Sequence, residues 1–395
     1  MIDPDSIDAV LESAVAQGAL PGVIAVVGDR DGTVYERAIG LLSVDGGRPC
    51  RLDTMLALAS LTKAITSVAA LQLIEQDRLG LDQPVASLLP DFGTLQVLDG
   101  FDGDTPRLRA PASQATIRQL LTHTSGLGYW FTSAELLRYH QLEQIPDPLT
   151  GRRAALEEVP LVADPGSAWT YGTSTDWLGQ VIEALSGQDL AAYASAHIFA
   201  PLGMSETTFT PSDEQRARMM ALHARAGDGS LGMSPVRLPS EPEFFSGGGG
   251  AYSTARDYLR FARALLRGGE LDGERILRPE AVELLFTDHL NGLELPDVMP
   301  SAVAELTNDV PSLKGVRQGF GLGLHLLLEE IPGRRRAGTG DWAGLFNCFY
   351  WIDRATGIAA ALLTQVLPFF DQRIVKTMLA FNGAVFAAVN DGVIA

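Results

Sequence analysis

From Leu61 to Ile74 the chain is apolar on nearly every side of a helix, and Lys63 stands near its start. A helix that faces water on one side carries a polar stripe, and one without a stripe has to be covered all round. This stretch therefore demands layers of structure on both sides of a buried helix. With 395 residues, 46% of them hydrophobic and 20% charged, the chain can supply those layers as one large core or two smaller lobes.

The covering layers are legible near both ends. Gly22 to Val27 is an apolar β-rich run, Asp29-Arg30-Asp31-Gly32 is a turn, and Thr33 to Ala38 is a second β-rich run, so a hairpin is expected. Phe346 to Ile352, the turn Asp353 to Gly357, and Ile358 to Thr364 repeat the arrangement, and Phe370 to Val389 has helical apolar spacing. Between the ends, Arg118 to Leu121, Trp177 to Leu185, Leu190 to Phe199 and Asp257 to Leu266 read as helices. Sheet, helices, sheet predicts an α/β (α+β) architecture: an antiparallel sheet flanked by helices, with a mainly helical lobe inserted. The expected division is an α/β lobe of residues 1–90 and 240–395, a helical lobe of residues 91–239, and a cleft between them.

Charge and composition narrow the partners. The net charge of −18 repels a phosphate backbone, so nucleic acid is not expected. The largest basic run, Arg334-Arg335-Arg336, reads as a solvated hairpin end. No stretch has the apolar length of a membrane span, and the acidic start Met1 to Ser6 is unlike an export signal, so the cytoplasm is expected. Cys50 and Cys348 are far apart without metal-ligand spacing and read as reduced thiols. No metal and no cofactor is expected, since His-Glu-x-x-His, a Walker loop and Gly-x-Gly-x-x-Gly after a strand are all missing. Oligomeric state leaves no signal.

The chemistry begins with Ser60-Leu61-Thr62-Lys63 at the entrance of the buried helix. Positions i and i+3 share a face, which brings a hydroxyl and an amine within hydrogen-bond reach as nucleophile and base. At a helix start, free N–H groups also favour a developing negative charge. By itself the spacing fits an N-cap serine followed by a snorkelling lysine equally well, although that reading wants a polar face around Lys63. Pro165 to Thr173 is a turn that delivers Tyr171 just before a helix, where it is either a packed aromatic or a phenol that moves the Ser60 proton. Gly338 to Leu345 leads small residues into a strand, either a hairpin bend or an edge whose amides face an oxyanion.

Taken in this order and at these separations, the three elements resemble the serine β-lactamase and penicillin-binding protein superfamily, over nearly the whole chain. Leu120 to Leu127, Gly248 to Asp257 and Phe320 to Leu324 look like further signatures of that family. The resemblance implies a β-lactamase/DD-peptidase-like fold in which Ser60 is acylated, Lys63 and Tyr171 relay its proton, and the amides of Ser60 and Leu345 form the oxyanion hole. It also places Trp342-Ala343-Gly344 where penicillin-recognising members carry Lys-Thr-Gly, as the substrate-binding strand. Losing the lysine removes the cation for a substrate carboxylate, which points to a neutral, bulky ester. Here the chain looks like the family VIII carboxylesterases and related acyltransferases. Tyr171-Gly172-Thr173 departs from the Tyr-x-Asn form of class C β-lactamases and lacks the amide-positioning asparagine.

The implied function is a serine carboxylesterase acting on a small-molecule ester through an acyl-enzyme on Ser60, with water or an alcohol as acceptor. A β-lactamase or D-amino-acid peptidase is the nearest alternative, and a silent binding protein the remoter one, since Ser60, Lys63 and Tyr171 are all present. No Gly-x-Ser-x-Gly elbow competes. His123 is expected to be a structural hydrogen-bonding residue and His325 a satisfied core or groove residue. The Gly247 to Gly250 run is expected to mark close backbone packing or a turn. The loops Gly128 to Pro148, with Tyr129, Trp130 and Phe131, and Asn291 to Lys314 either line the cleft or merely pack, and packing is the expected reading.

Overall fold

The computed structural model describes residues 4–390. Met1, Ile2 and Asp3, part of the acidic start discussed above, lie outside the described residues. An eight-stranded antiparallel sheet joins the two ends of the chain. Its strands are β1 (Gly22–Gly28), β2 (Thr33–Ser43), β3 (Gly46–Pro49), β4 (Gln318–Phe320), β5 (His325–Leu327), β6 (Gly340–Gly344), β7 (Cys348–Asp353) and β8 (Ile358–Leu363). Their order across the sheet is β4-β5-β6-β7-β8-β1-β2-β3, so the first hairpin docks beside the last strand, with Val26 opposite Ala361.

Both hairpins are closed by an aspartate that gathers backbone amides. Asp29 Oδ1 accepts from Asp31 and Gly32 at 2.8 and 2.7 Å, and Asp353 Oδ1 accepts from Ala355 and Thr356 at 3.1 and 3.0 Å. Such Asx turns account for the Asp-rich connections of the sequence.

The central strands are buried on both faces, so they read as continuous apolar runs. On one face Val23, Ala25, Phe349, Trp351 and Leu362 pack under the terminal helices α1 (Pro4–Ala16) and α5 (Gln372–Asn390). On the other, Ile24, Val26, Tyr350, Ala361 and Leu363 join a core that runs through α2 (Thr62–Glu75), α3 (Ser174–Ser186) and α4 (Ala255–Leu266). α2 lies inside this core, and its residues from Thr62 to Leu73 are all buried. The Tyr258 hydroxyl on α4 donates to the Leu61 carbonyl at 3.0 Å, tying α4 to the turn that carries Ser60.

Two details differ from the sequence reading. The segment Leu190 to Phe199 is a short α-helix, Leu190–Ala194, that widens into a π-turn at Ser195–Phe199. Ser60 precedes α2, on a 3₁₀ turn spanning Ala59–Leu61. In a 3₁₀ turn residues i and i+3 eclipse, so the spacing still aligns Ser60 with Lys63. Among the described residues no helix is long and apolar enough to cross a membrane.

Trp351 packs against Phe381 and Phe386 of α5, with ring centroids 5.6 and 6.4 Å apart. Phe381→Ala empties the centre of this layer and is expected to cost about 3–5 kcal/mol. In urea denaturation the midpoint should fall while the slope stays constant.

Candidate active site

The three elements singled out in the sequence meet at one point. Ser60 Oγ receives hydrogen bonds from Lys63 Nζ at 3.1 Å and from the Tyr171 hydroxyl at 2.6 Å. Ala59, just before it, has φ of 47°, a left-handed conformation that costs a residue with a side chain some strain and turns Ser60 away from the core.

Glycines set how closely the surrounding chain approaches. A Cβ on Gly344 would lie 2.6 Å from the Leu58 carbonyl, so the end of β6 presses on the Ser60 turn and brings Leu345 beside it. A Cβ on Gly172 would lie 2.2 Å from the Leu127 carbonyl, which explains the glycine after Tyr171. The Gly247 to Gly250 run packs closely against α2 and α3, as expected. There a Cβ on Gly248 would meet Asp176 Oδ2 at 2.6 Å.

Lys63 is 3% exposed and its amine has three partners: Ser60, the Tyr129 hydroxyl at 3.1 Å and the Gly248 carbonyl at 2.8 Å. The Gly248 carbonyl can only accept, so it fixes one N–H and the direction of the remaining two. Asp176, buried at the start of α3, accepts from the Ser246 hydroxyl and from the Gly248 amide at 3.0 Å. Burial, and next the Asp176 and Tyr171 charges, push the Tyr129 phenol well above its usual range, so it stays protonated beside Lys63. The loop carrying Tyr129 is thus part of the site and not merely structural. Asp176 was missed altogether, because one aspartate inside an amphipathic helix carries no sequence signal.

Tyr171 sits in an aromatic cluster. Trp342 Nε1 donates to its oxygen at 3.4 Å, which leaves the Tyr171 proton pointing at Ser60. Trp169, His123 and Trp342 surround the ring, with centroids 6.2, 5.1 and 5.1 Å away. His123 departs from the hydrogen-bonding role expected of it: its Nδ1 has no partner and its ring packs against Phe320. Burial, and next the Lys63 charge, hold it well below the usual imidazole range.

Two cavities open on Ser60. One, of about 300 Å³, runs past Trp169, Tyr171, Trp342 and Ala343 to Leu295, Met299 and Val310, so part of the Asn291 to Lys314 loop lines the cleft. The other, of about 120 Å³, is lined by Trp130, Phe131, Leu149, Phe209 and Phe244. Ser60, Phe131 and Leu345 border both. Among the described residues the amides of Ser60 and Leu345 donate to no protein acceptor. Thr173, where class C enzymes carry asparagine, lines the smaller cavity with its buried hydroxyl unpaired. No group of His, Cys, Asp and Glu suited to a metal ion occurs among the described residues.

The Beta-lactamase family model matches residues 7–385. The monacolin J acid methylbutanoyltransferase of Aspergillus terreus is 31% identical over 98% of this chain and 96% of its own. The lovastatin esterase of Penicillium rubens is 32% identical over 91% of this chain and 93% of its own. Among solved structures, unliganded simvastatin synthase from Aspergillus terreus superposes with a TM-score of 0.84 at 30% identity, over 98% of this chain and 99% of that one.

Removing the Tyr129 hydroxyl takes one partner from Lys63 while the ring stays stacked on Phe131, 4.8 Å away. Tyr129→Phe is expected to lower kcat about 10–100-fold with KM changed less than about threefold, as steady-state kinetics on an ester would show. A second expectation concerns pH. Burial keeps His123 neutral and holds His140 down to about 4. Below about pH 6.5 the unfolded chain takes up these protons and the folded one does not, so stability is lost as pH falls from 6.5 towards 4. Unfolding free energies from urea denaturation at pH 7.5 and 5.5 should differ in that direction, by about 1 kcal/mol per ring.

Proposed function

The chain belongs to the Beta-lactamase family, and on that footing we propose that it is a serine carboxylesterase working through an acyl-enzyme on Ser60. The observation that carries this reading is Ser60 Oγ held between Lys63 Nζ and the Tyr171 hydroxyl at 3.1 and 2.6 Å. Once the Lys63–Tyr171 pair has given up one of its protons to water, it takes the Ser60 proton as Oγ bonds to the ester carbonyl carbon. The amides of Ser60 and Leu345 receive the resulting oxyanion. When the tetrahedral adduct collapses, the carbon–oxygen bond to the alcohol breaks, and Tyr171 returns the proton to that leaving oxygen. Water or a second alcohol then removes the acyl group by the same steps in reverse.

Trp342, Ala343 and Gly344 form the strand along which the substrate lies, and the two cavities take the two halves of the ester. Their largely apolar walls favour a bulky ester over a polar peptide, and the indole at position 342 offers no cation to a lactam carboxylate beside Ser60. Within the family the chain follows the pattern of the family VIII carboxylesterases, with its cleft between a lobe of residues 1–90 and 240–395 and a helical lobe of residues 91–239. Transfer to an alcohol is supported by the named activity of the Aspergillus transferase and by a cavity roomy enough to hold an acceptor. The buried, unpaired Cys50 and Cys348 fit a reducing compartment such as the cytoplasm.

Mass spectrometry after incubation with a serine-directed phosphonate should place the adduct on the Ser60 peptide, and Ser60→Ala should lose it together with at least about 10³-fold in kcat/KM. An adduct that persists in the variant would remove Ser60 from the mechanism. Short-chain p-nitrophenyl esters should be turned over far faster than a chromogenic cephalosporin, and equal rates would favour the β-lactamase reading.

A further inference from the structure

The basic run Arg334 to Arg336 is not wholly a solvated hairpin end. Arg336 pairs outward with Glu330 at 2.9 Å, but Arg335 turns inward, is 8% exposed and lines the larger cavity. Its Nη1 pairs with Asp341 Oδ2, while Nε is buried with no partner. Among the described residues the rest of its guanidinium makes no hydrogen bond.

Asp341 lies directly opposite His325 across β5 and β6, and its Oδ1 is taken by His325 Nδ1 at 2.7 Å. The other ring nitrogen, Nε2, faces Gln318 Oε1 at 3.1 Å. Gln318 cannot be turned round without loss, because its amide nitrogen donates to the carbonyls of Leu313 and Val316 at 3.2 and 3.4 Å. Both nitrogens of His325 thus stand against oxygen atoms, so His325 is fully engaged within this corner. Arg335 meets Asp341 through one nitrogen only and keeps buried donors without an acceptor in a largely apolar cavity wall.

A buried guanidinium donor with no acceptor is costly unless something answers it. We propose that the Gln318, His325, Arg335 and Asp341 corner is a carboxylate-binding subsite, and that the favoured substrates are acidic esters. The idea rests on the Ser60 reading for the position of the ester. Ser60, Tyr171 and Trp342 line the same cavity as these four residues, so one ligand reaches both ends. Asp341 stands four residues before Leu345 along an extended strand, which sets the free carboxylate about 13 Å from the oxyanion position. Leu295, Met299 and Val310 line the same cavity and suit an apolar spacer. The free donors of the planar guanidinium fork match a carboxylate, whereas a dianionic phosphate would be repelled more strongly by Asp341. The neutral ester expected from Trp342 is therefore neutral only at its reacting end.

Calorimetry on Ser60→Ala, which cannot turn over, compares octanoate with octanamide at neutral pH. Octanoate should bind at least tenfold tighter, and adding Arg335→Met should erase the difference. Equal affinities in Ser60→Ala, or a preference that survives Arg335→Met, would overturn the subsite. Should Arg335→Met fail to fold, competitive inhibition of wild-type p-nitrophenyl butyrate hydrolysis decides: octanoate must inhibit at least tenfold better than octanamide, and parity overturns the proposal. Tight octanoate binding by an enzyme whose esterase activity survives Ser60→Ala would instead keep the subsite and reject the Ser60 reading.

Discussion

The structure turns on the burial of the Lys63 amine. An amine removed from water needs a partner for every N–H it carries, and the fold converges on it to provide them: the Ser60 turn from its own helix, Tyr129 from a long loop, and the Gly248 carbonyl from a glycine run. Each partner is positioned from a distance in sequence. Gly248 is held by Asp176 of α3, and the Ser60 turn is held by Tyr258 of α4 and by the end of β6. The requirement to satisfy one buried lysine thus draws together the elements that a serine nucleophile needs.

Charge in the cleft is distributed in two steps. Among the described residues Lys63 is the cation beside Ser60, and position 342 is an indole that donates to Tyr171 and closes the aromatic cluster. In the same cavity, Arg335 places a second cation against Asp341. A cation next to the reacting carbonyl and a cation remote from it select different molecules. The first suits a lactam whose carboxylate sits near its carbonyl, and the second suits a longer molecule whose acid lies at the far end.

Much of the site was legible because its chemistry depends on local spacing. Ser60 and Lys63 are three residues apart, so one helical turn aligns them whatever the rest of the chain does. The hairpins were legible for a similar reason, since Asp29 and Asp353 form their turns with amides two and three residues on. What escaped were residues whose role is set by contacts across the fold. Tyr129 meets Lys63 across 66 positions, and Asp176 meets Gly248 across 72.

Arg335 marks the limit most clearly. Three consecutive arginines after a Pro-Gly turn carry no sign of which one faces inward, because that depends on the twist of the hairpin and on Asp341 standing opposite His325. Sequence by itself determined the buried helix, the sheet drawn from both ends, and the alignment of serine with lysine, since apolar periodicity and short-range geometry fix these locally. Only the tertiary structure decided the three partners of Lys63, the proton direction at Tyr171 and the charge balance of the far end of the cavity. Those are matters of which polar groups share a space closed to water, and no local pattern records them.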